Sequence, residues 1–86
     1  MQLICPWEEV ASFRDTVEFR SFERWMTGQV SAGMARQVPV GQPYLPDPLH
    51  VEVWYLHVRS REVWRLVWPA PPFAGVFVRV VSTGHR

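Results

Sequence analysis

The feature that most restricts what this chain can become is a change of period. From His50 onward the apolar residues stop recurring every three or four positions and alternate every two. Val51, Val53, Tyr55 and His57 fall on one side, and Glu52, Trp54, Leu56 and Val58 on the other. This is the spacing of a pleated strand, whose successive side chains point to opposite faces. Arg59-Ser60-Arg61-Glu62 is short and polar, and reads as a hairpin turn. The next run places Val63, Arg65 and Val67 on one face and Trp64, Leu66 and Trp68 on the other, with the Trp/Leu side as the expected core. Pro69, Pro71, Pro72 and Gly75 must end that strand and turn the chain. Residues 76–81 then form a last strand whose apolar run is interrupted by Arg79. Residues 50–86 are therefore expected to be a three-stranded antiparallel sheet.

Upstream the pattern is helical. Val10, Phe13 and Val17, then Phe19, Phe22, Met26 and Val30, recur at spacings of three and four, while Glu18, Glu23 and Arg24 can face water. Pro6, followed by Glu8 and Glu9, suits the first turn of a helix. One broken helix or two helices are expected over residues 7–36. Asp15-Thr16 is a break or an N-cap, and Gly28 and Gly33 weaken the far end. Residues 1–5 read as a short first strand ending at Pro6. Pro39, Pro43, Pro46 and Pro48 make an extended connector between the helices and the sheet. The expected fold is α+β: an N-terminal helical stretch packed on a small antiparallel sheet, with three C-terminal strands plus the short N-terminal one.

Eighty-six residues, 48% of them hydrophobic, make one folded domain spanning residues 1–86. A core this small leaves little stability to spare, so a partner protein or a homodimer is consistent with size alone. Cys5 is the single cysteine, which rules out an internal disulfide and suits a reducing cytoplasm. No apolar run approaches the ~20 residues of a membrane helix, and the first residues lack the layout of a signal peptide.

Charge is unevenly spread. Residues 1–53 hold seven acids and four arginines, whereas residues 54–86 hold Arg59, Arg61, Arg65, Arg79 and Arg86 against Glu62 alone. The chain contains no lysine. A basic last third points to nucleic acid or an acidic protein partner; mutual neutralisation of the two parts across the fold explains it equally well. An all-arginine set matches planar, bidentate recognition of phosphate, and matches a GC-rich genome too.

Most chemistries find no support. His50, His57 and His85 lack close ligand spacing and Cys5 stands alone, so neither a metal nor another cofactor is expected. No glycine-rich phosphate loop is present. Cys5 has no evident base beside it and reads as an inert thiol. The arginines of the sheet are the one constellation with chemical content. If Arg59, Arg61, Arg65 and Arg86 converged on one surface, they would bind phosphate and stabilise charge developing on phosphorus. Arginine is a poor general base, so proton transfer would fall to His57 or His85. The simpler account is a set of solvated charges that keep sheet edges from aggregating.

The run from Val58 to Trp68 resembles the middle strands of RelE/ParE-type toxins, where an arginine-bearing hairpin leads into a tyrosine–arginine–aliphatic strand. Here that strand reads Trp64-Arg65-Leu66-Val67-Trp68. The final run, Val76-Phe77-Val78-Arg79-Val80-Val81-Ser82-Thr83-Gly84-His85-Arg86, looks like the valine-rich strand that closes those toxins. The likeness covers about thirty residues in sequence and only element order over the first fifty. It implies a toxin of a type II toxin–antitoxin pair, neutralised by an antitoxin protein. In its RNA-cleaving branch the family cuts mRNA on the ribosome without metal. By that likeness Arg65 and Arg86 would contact the scissile phosphate and Arg59, with Arg61 beside it, would help hold RNA; where the family's usual groups are missing, proton transfer would fall to His57 or His85. The sequence departs from the family in lacking the lysines common in that branch, and it ends at Arg86, before the tail in which many members carry a functional tyrosine. The alternative is a non-enzymatic binding module or inhibitor that uses the basic sheet, including inhibition of gyrase as in the ParE branch.

Overall fold

The computed structural model describes residues 5–46 and 50–81. Helix α1 spans Thr16–Ser31, and four strands follow: β1 (Ala35–Val38), β2 (Glu52–His57), β3 (Glu62–Val67) and β4 (Val76–Arg79). The strands form one sheet in the order β1-β2-β3-β4, each antiparallel to its neighbour. The α+β class expected from the sequence is the class observed.

The helix is shorter than the apolar spacing predicts. Asp15 is its N-cap: the carboxylate accepts the Glu18 N–H at 2.8 Å, and Glu18 in turn accepts from Arg14 at 2.8 Å. At the other end Gly33 takes a φ of 78°, the Gly33 N–H reaches the Val30 carbonyl and the Met34 N–H reaches Gln29. That pair of bonds is the Schellman arrangement, which closes a helix with a left-handed residue best supplied by glycine. Residues 7–13, expected to be helical, instead run alongside the sheet. Val10 exchanges two backbone hydrogen bonds with Phe77 of β4, at 2.8 and 2.9 Å. Trp7 and Phe13 gain more from burial between helix and sheet than from an isolated turn of helix.

Among the described residues the fourth strand lies outside the anticipated N-terminal segment. Residues 1–4 of the anticipated first strand lie outside the described residues, and Cys5 is in no strand. The fourth strand is β1, directly after the Gly33 turn, and it overlaps the end of the stretch read as helical at Ala35 and Arg36. Ala35-Arg36-Gln37-Val38 has little strand propensity of its own; β2 supplies the ladder that it joins.

The sheet has an inner and an outer face. The inner face carries Ala35, Tyr55, Trp64, Leu66 and Phe77, and packs with Trp7, Phe13, Phe19 and Met26 into the core. Trp64 and Phe77 stack with ring centroids 5.0 Å apart, and Trp7 meets both rings from the side. Trp64 and Leu66 therefore sit where the alternation placed them, and Trp68 packs against the same cluster. The turn after β3 needs Gly75 at a φ of 86°, where a Cβ would lie 3.0 Å from the Pro69 ring.

Candidate functional site

The outer face follows from register. β2 presents Glu52, Trp54, Leu56, and Val58 just beyond it; β3 presents Val63, Arg65 and Val67; β4 presents Val76, Val78, and Val80 just beyond it. β1 adds Arg36 and Val38 beside Leu56 and Trp54. Its two ends differ. Val67 and Val76 are buried at one end, whereas Val38, Leu56, Val63, Val78 and Val80 remain half-exposed and Val58 is exposed. Helix α1 packs on the opposite side, so among the described residues most of this aliphatic surface has no helix or strand over it.

Arg65 lies on this face, and it is held. Its guanidinium sits 5.2 Å from the Tyr44 ring centroid and 5.1 Å from that of Trp54, and 3.5 Å from Glu52 Oε2. The Glu52 carboxylate also accepts the Tyr44 backbone N–H at 2.7 Å and the Trp54 indole N–H at 2.6 Å. Side-chain exposure is 14% for Arg65 and 8% for Glu52. The cation is thus neutralised, stacked on two rings and mostly covered. Sequence reading identified Arg65 but missed its three companions. Trp54 and Glu52 were legible as neighbours on one strand face; Tyr44 was not, since the connector gives no sign of where it folds back.

The other residues of the anticipated site are dispersed. His57 is 2% exposed and packs edge-on against Trp7, with centroids 4.8 Å apart. Its Nδ1 meets Ser60 Oγ at 2.8 Å and accepts the Ser60 N–H at 3.3 Å, so it anchors the hairpin from inside the core. Its Nε2 has no hydrogen-bond partner among the described residues. Arg59 and Arg61 are exposed on the turn between β2 and β3. Arg79 shares the inner-face row with Trp64 and pairs with Glu62 at 3.5 Å. Arg65 and Arg79 therefore project from opposite faces. His85 and Arg86 lie outside the described residues.

A separate depression of about 460 Å³ is lined by Cys5, Trp7, Glu9, Glu62, Trp64 and Arg79, among others. Its polar groups are engaged with one another: Glu62 accepts from Trp64 Nε1 at 3.2 Å and Glu9 accepts the Arg79 N–H at 3.0 Å. Burial pushes the Cys5 thiol up, an effect that hydrogen bonds to the Trp7 backbone and Ser60 only partly oppose, so the sulfur stays protonated and weakly nucleophilic at neutral pH. Among the described residues no group of three or more His, Cys, Asp or Glu side chains is placed to hold a metal ion, and no helix is long and apolar enough to cross a membrane.

No family model matches the chain, and neither does any curated protein or any solved structure.

Proposed function

We propose that this chain is a non-enzymatic binding module, cytoplasmic as its lone thiol suggests, that docks a partner protein on the outer face of its sheet. One observation carries the reading: Val38, Leu56, Val63, Val78 and Val80, half-buried, and the exposed Val58 form a contiguous aliphatic surface on the face opposite α1. Contiguous apolar surface rimmed by charge is the usual mark of a protein interface. Arg65, Trp54 and Tyr44 stiffen one flank of that surface, a structural task for the arginine.

The RelE/ParE-type resemblance supplies a second reading, a metal-independent mRNA endoribonuclease held in check by an antitoxin. It is favoured by the sequence likeness around Arg65. It asks that Arg65 leave both aromatic rings and Glu52 to reach a phosphate, and that a group other than the core-bound His57 move the proton.

Co-expression with the product of the adjacent reading frame separates the two. Docking predicts a complex on size exclusion that survives Arg65→Met and is lost in the Leu56→Asp/Val63→Asp variant. Ribosome-dependent mRNA cuts that disappear in Arg65→Ala would overturn the binding module in favour of the nuclease. A stable dimer of this chain alone, broken by the same Leu56/Val63 variant, would make the partner a second copy.

A further inference from the structure

The turn joining β2 to β3 is more rigid than its exposed sequence suggests. Ser60 Oγ meets His57 Nδ1 at 2.8 Å and accepts the Glu62 N–H at 3.2 Å, and the Arg61 N–H closes on the His57 carbonyl at 2.9 Å. Because His57 is in the core, the tip is bolted to the interior. Arg61 holds a φ of 66°, a left-handed conformation that glycine or asparagine adopts with less strain. A long cationic side chain thus occupies a position where local backbone energetics favour glycine, a pattern associated with functional sites.

Neither Arg59 nor Arg61 has an ion pair or side-chain hydrogen bond among the described residues, and the same is true of Arg36, the cross-strand neighbour of Leu56. The acid of the outer face, Glu52, is already engaged by Arg65, Trp54 and Tyr44, and Glu62 is committed to Trp64 and Arg79. Among the described residues the uncompensated charge around the half-exposed end of the face is therefore all arginine. It adjoins Val58, Leu56 and Val63, aliphatic side chains that offer nucleic-acid bases no stacking surface.

We infer that the Arg59/Arg61 turn is a preorganised clamp for carboxylates, and that the partner is a protein segment carrying acidic residues next to the apolar ones that fill the outer face. The inference rests on the docking surface proposed above. Guanidinium groups carried on a held backbone at the rim select the partner by charge and set its register, while the valines and Leu56 supply contact area.

The test is a titration, followed by NMR, with three probes: an amphipathic helical peptide with leucines on one face and glutamates flanking them, the same peptide with glutamine for glutamate, and a single-stranded RNA 12-mer. The Leu56 and Val63 methyls and the Arg59 and Arg61 Nε–H groups report separately. The glutamate peptide should move both sets and bind about tenfold tighter than the glutamine peptide at low salt. That preference should vanish in the Arg59→Ala/Arg61→Gly variant. The single Arg61→Gly variant should raise the Tm by roughly 3–6 °C, showing that lost binding is not lost folding. Equal affinity for the two peptides, with the methyls moving, would overturn the clamp and leave the docking face standing. Still methyls with both peptides would overturn the face and the clamp together. RNA moving the arginine signals while the glutamate peptide does not would overturn the choice of a protein partner.

Discussion

The two faces of this sheet are both largely apolar, one rich in aromatics and the other in aliphatics, and they meet different fates. On the inner face Trp64, Leu66 and Phe77 are buried under α1 and residues 7–13. On the outer face Leu56, Val63, Val78 and Val80 are left half-exposed beside a buried pair, Val67 and Val76. The difference lies in what covers each face. One helix and one extended segment are enough to cover a single side of a four-stranded sheet, and in this chain they cover the side with the aromatics. The aliphatic surplus on the other side is thus available for association, whereas the inner aromatics are spent on stability.

The sharpest way to break the comparison is to remove matching apolar bulk from each face. Phe77→Ala should lower stability by about 3–5 kcal/mol in urea denaturation, the range for losing a fully buried phenylalanine. An outer face that proved equally sensitive would mean that it too is core. Next is Glu52→Gln, which leaves the Arg65 guanidinium largely covered with its counter-charge gone. A loss of about 2–3 kcal/mol is expected, with raised reactivity of Arg65 toward phenylglyoxal as the local readout. Gly75→Ala should cost about 1–2 kcal/mol, since a side chain there adds left-handed strain and meets the Pro69 ring; a chevron or a thermal scan will show it. Leu56→Ser on the half-exposed end should change stability by less than about 1 kcal/mol while removing binding to any partner of the outer face. The smallest effect concerns Cys5. Its thiol is raised by burial, so the folded protein favours the protonated form. That contribution is complete below the ordinary thiol range and is lost as pH climbs through the folded value. Alkylation by iodoacetamide should be slow at pH 7 and should accelerate only above the range where a free cysteine reacts.

Much of the sheet was readable in the residues themselves. The alternation through residues 51–58 and 63–68 set which side chains share a face, and the Trp64/Leu66 side became the core as expected. The hairpin at Arg59–Ser60–Arg61 and the break at Pro69–Gly75 were signalled by turn chemistry that acts locally. Asp15 was legible as a break or an N-cap and Gly33 as a weak point, because capping depends on a few neighbouring backbone groups, but the expected helix runs on to Arg36 rather than stopping at Gly33. The extent of the helix was not legible. Val10 and Phe13 have helical spacing to Val17, yet their burial against Phe77 and Phe19 comes from an extended segment, a choice made by contacts distant in sequence.

The candidate site divides in the same way. That Arg65 would lie in a strand and that Arg59 and Arg61 would sit on its turn could be read directly. Whether Arg65 is free could not, since its state depends on Tyr44, twenty-one positions earlier in a proline-rich connector with no periodicity to betray its path. His57 looked available for proton transfer and is instead a core residue that fixes the hairpin.

The sequence by itself determined the period-two strands, the turn between them and the excess of arginine in the last third, because each depends on local sterics, local hydrogen bonds or simple counting. Only the tertiary structure decided which face would be covered, that residues 35–38 would become a strand, and that Arg65 would be clamped while Arg59 and Arg61 stayed unpaired among the described residues. Those outcomes depend on which distant surfaces compete for burial and on where a carboxylate finds its cation, and no short window of sequence contains both partners.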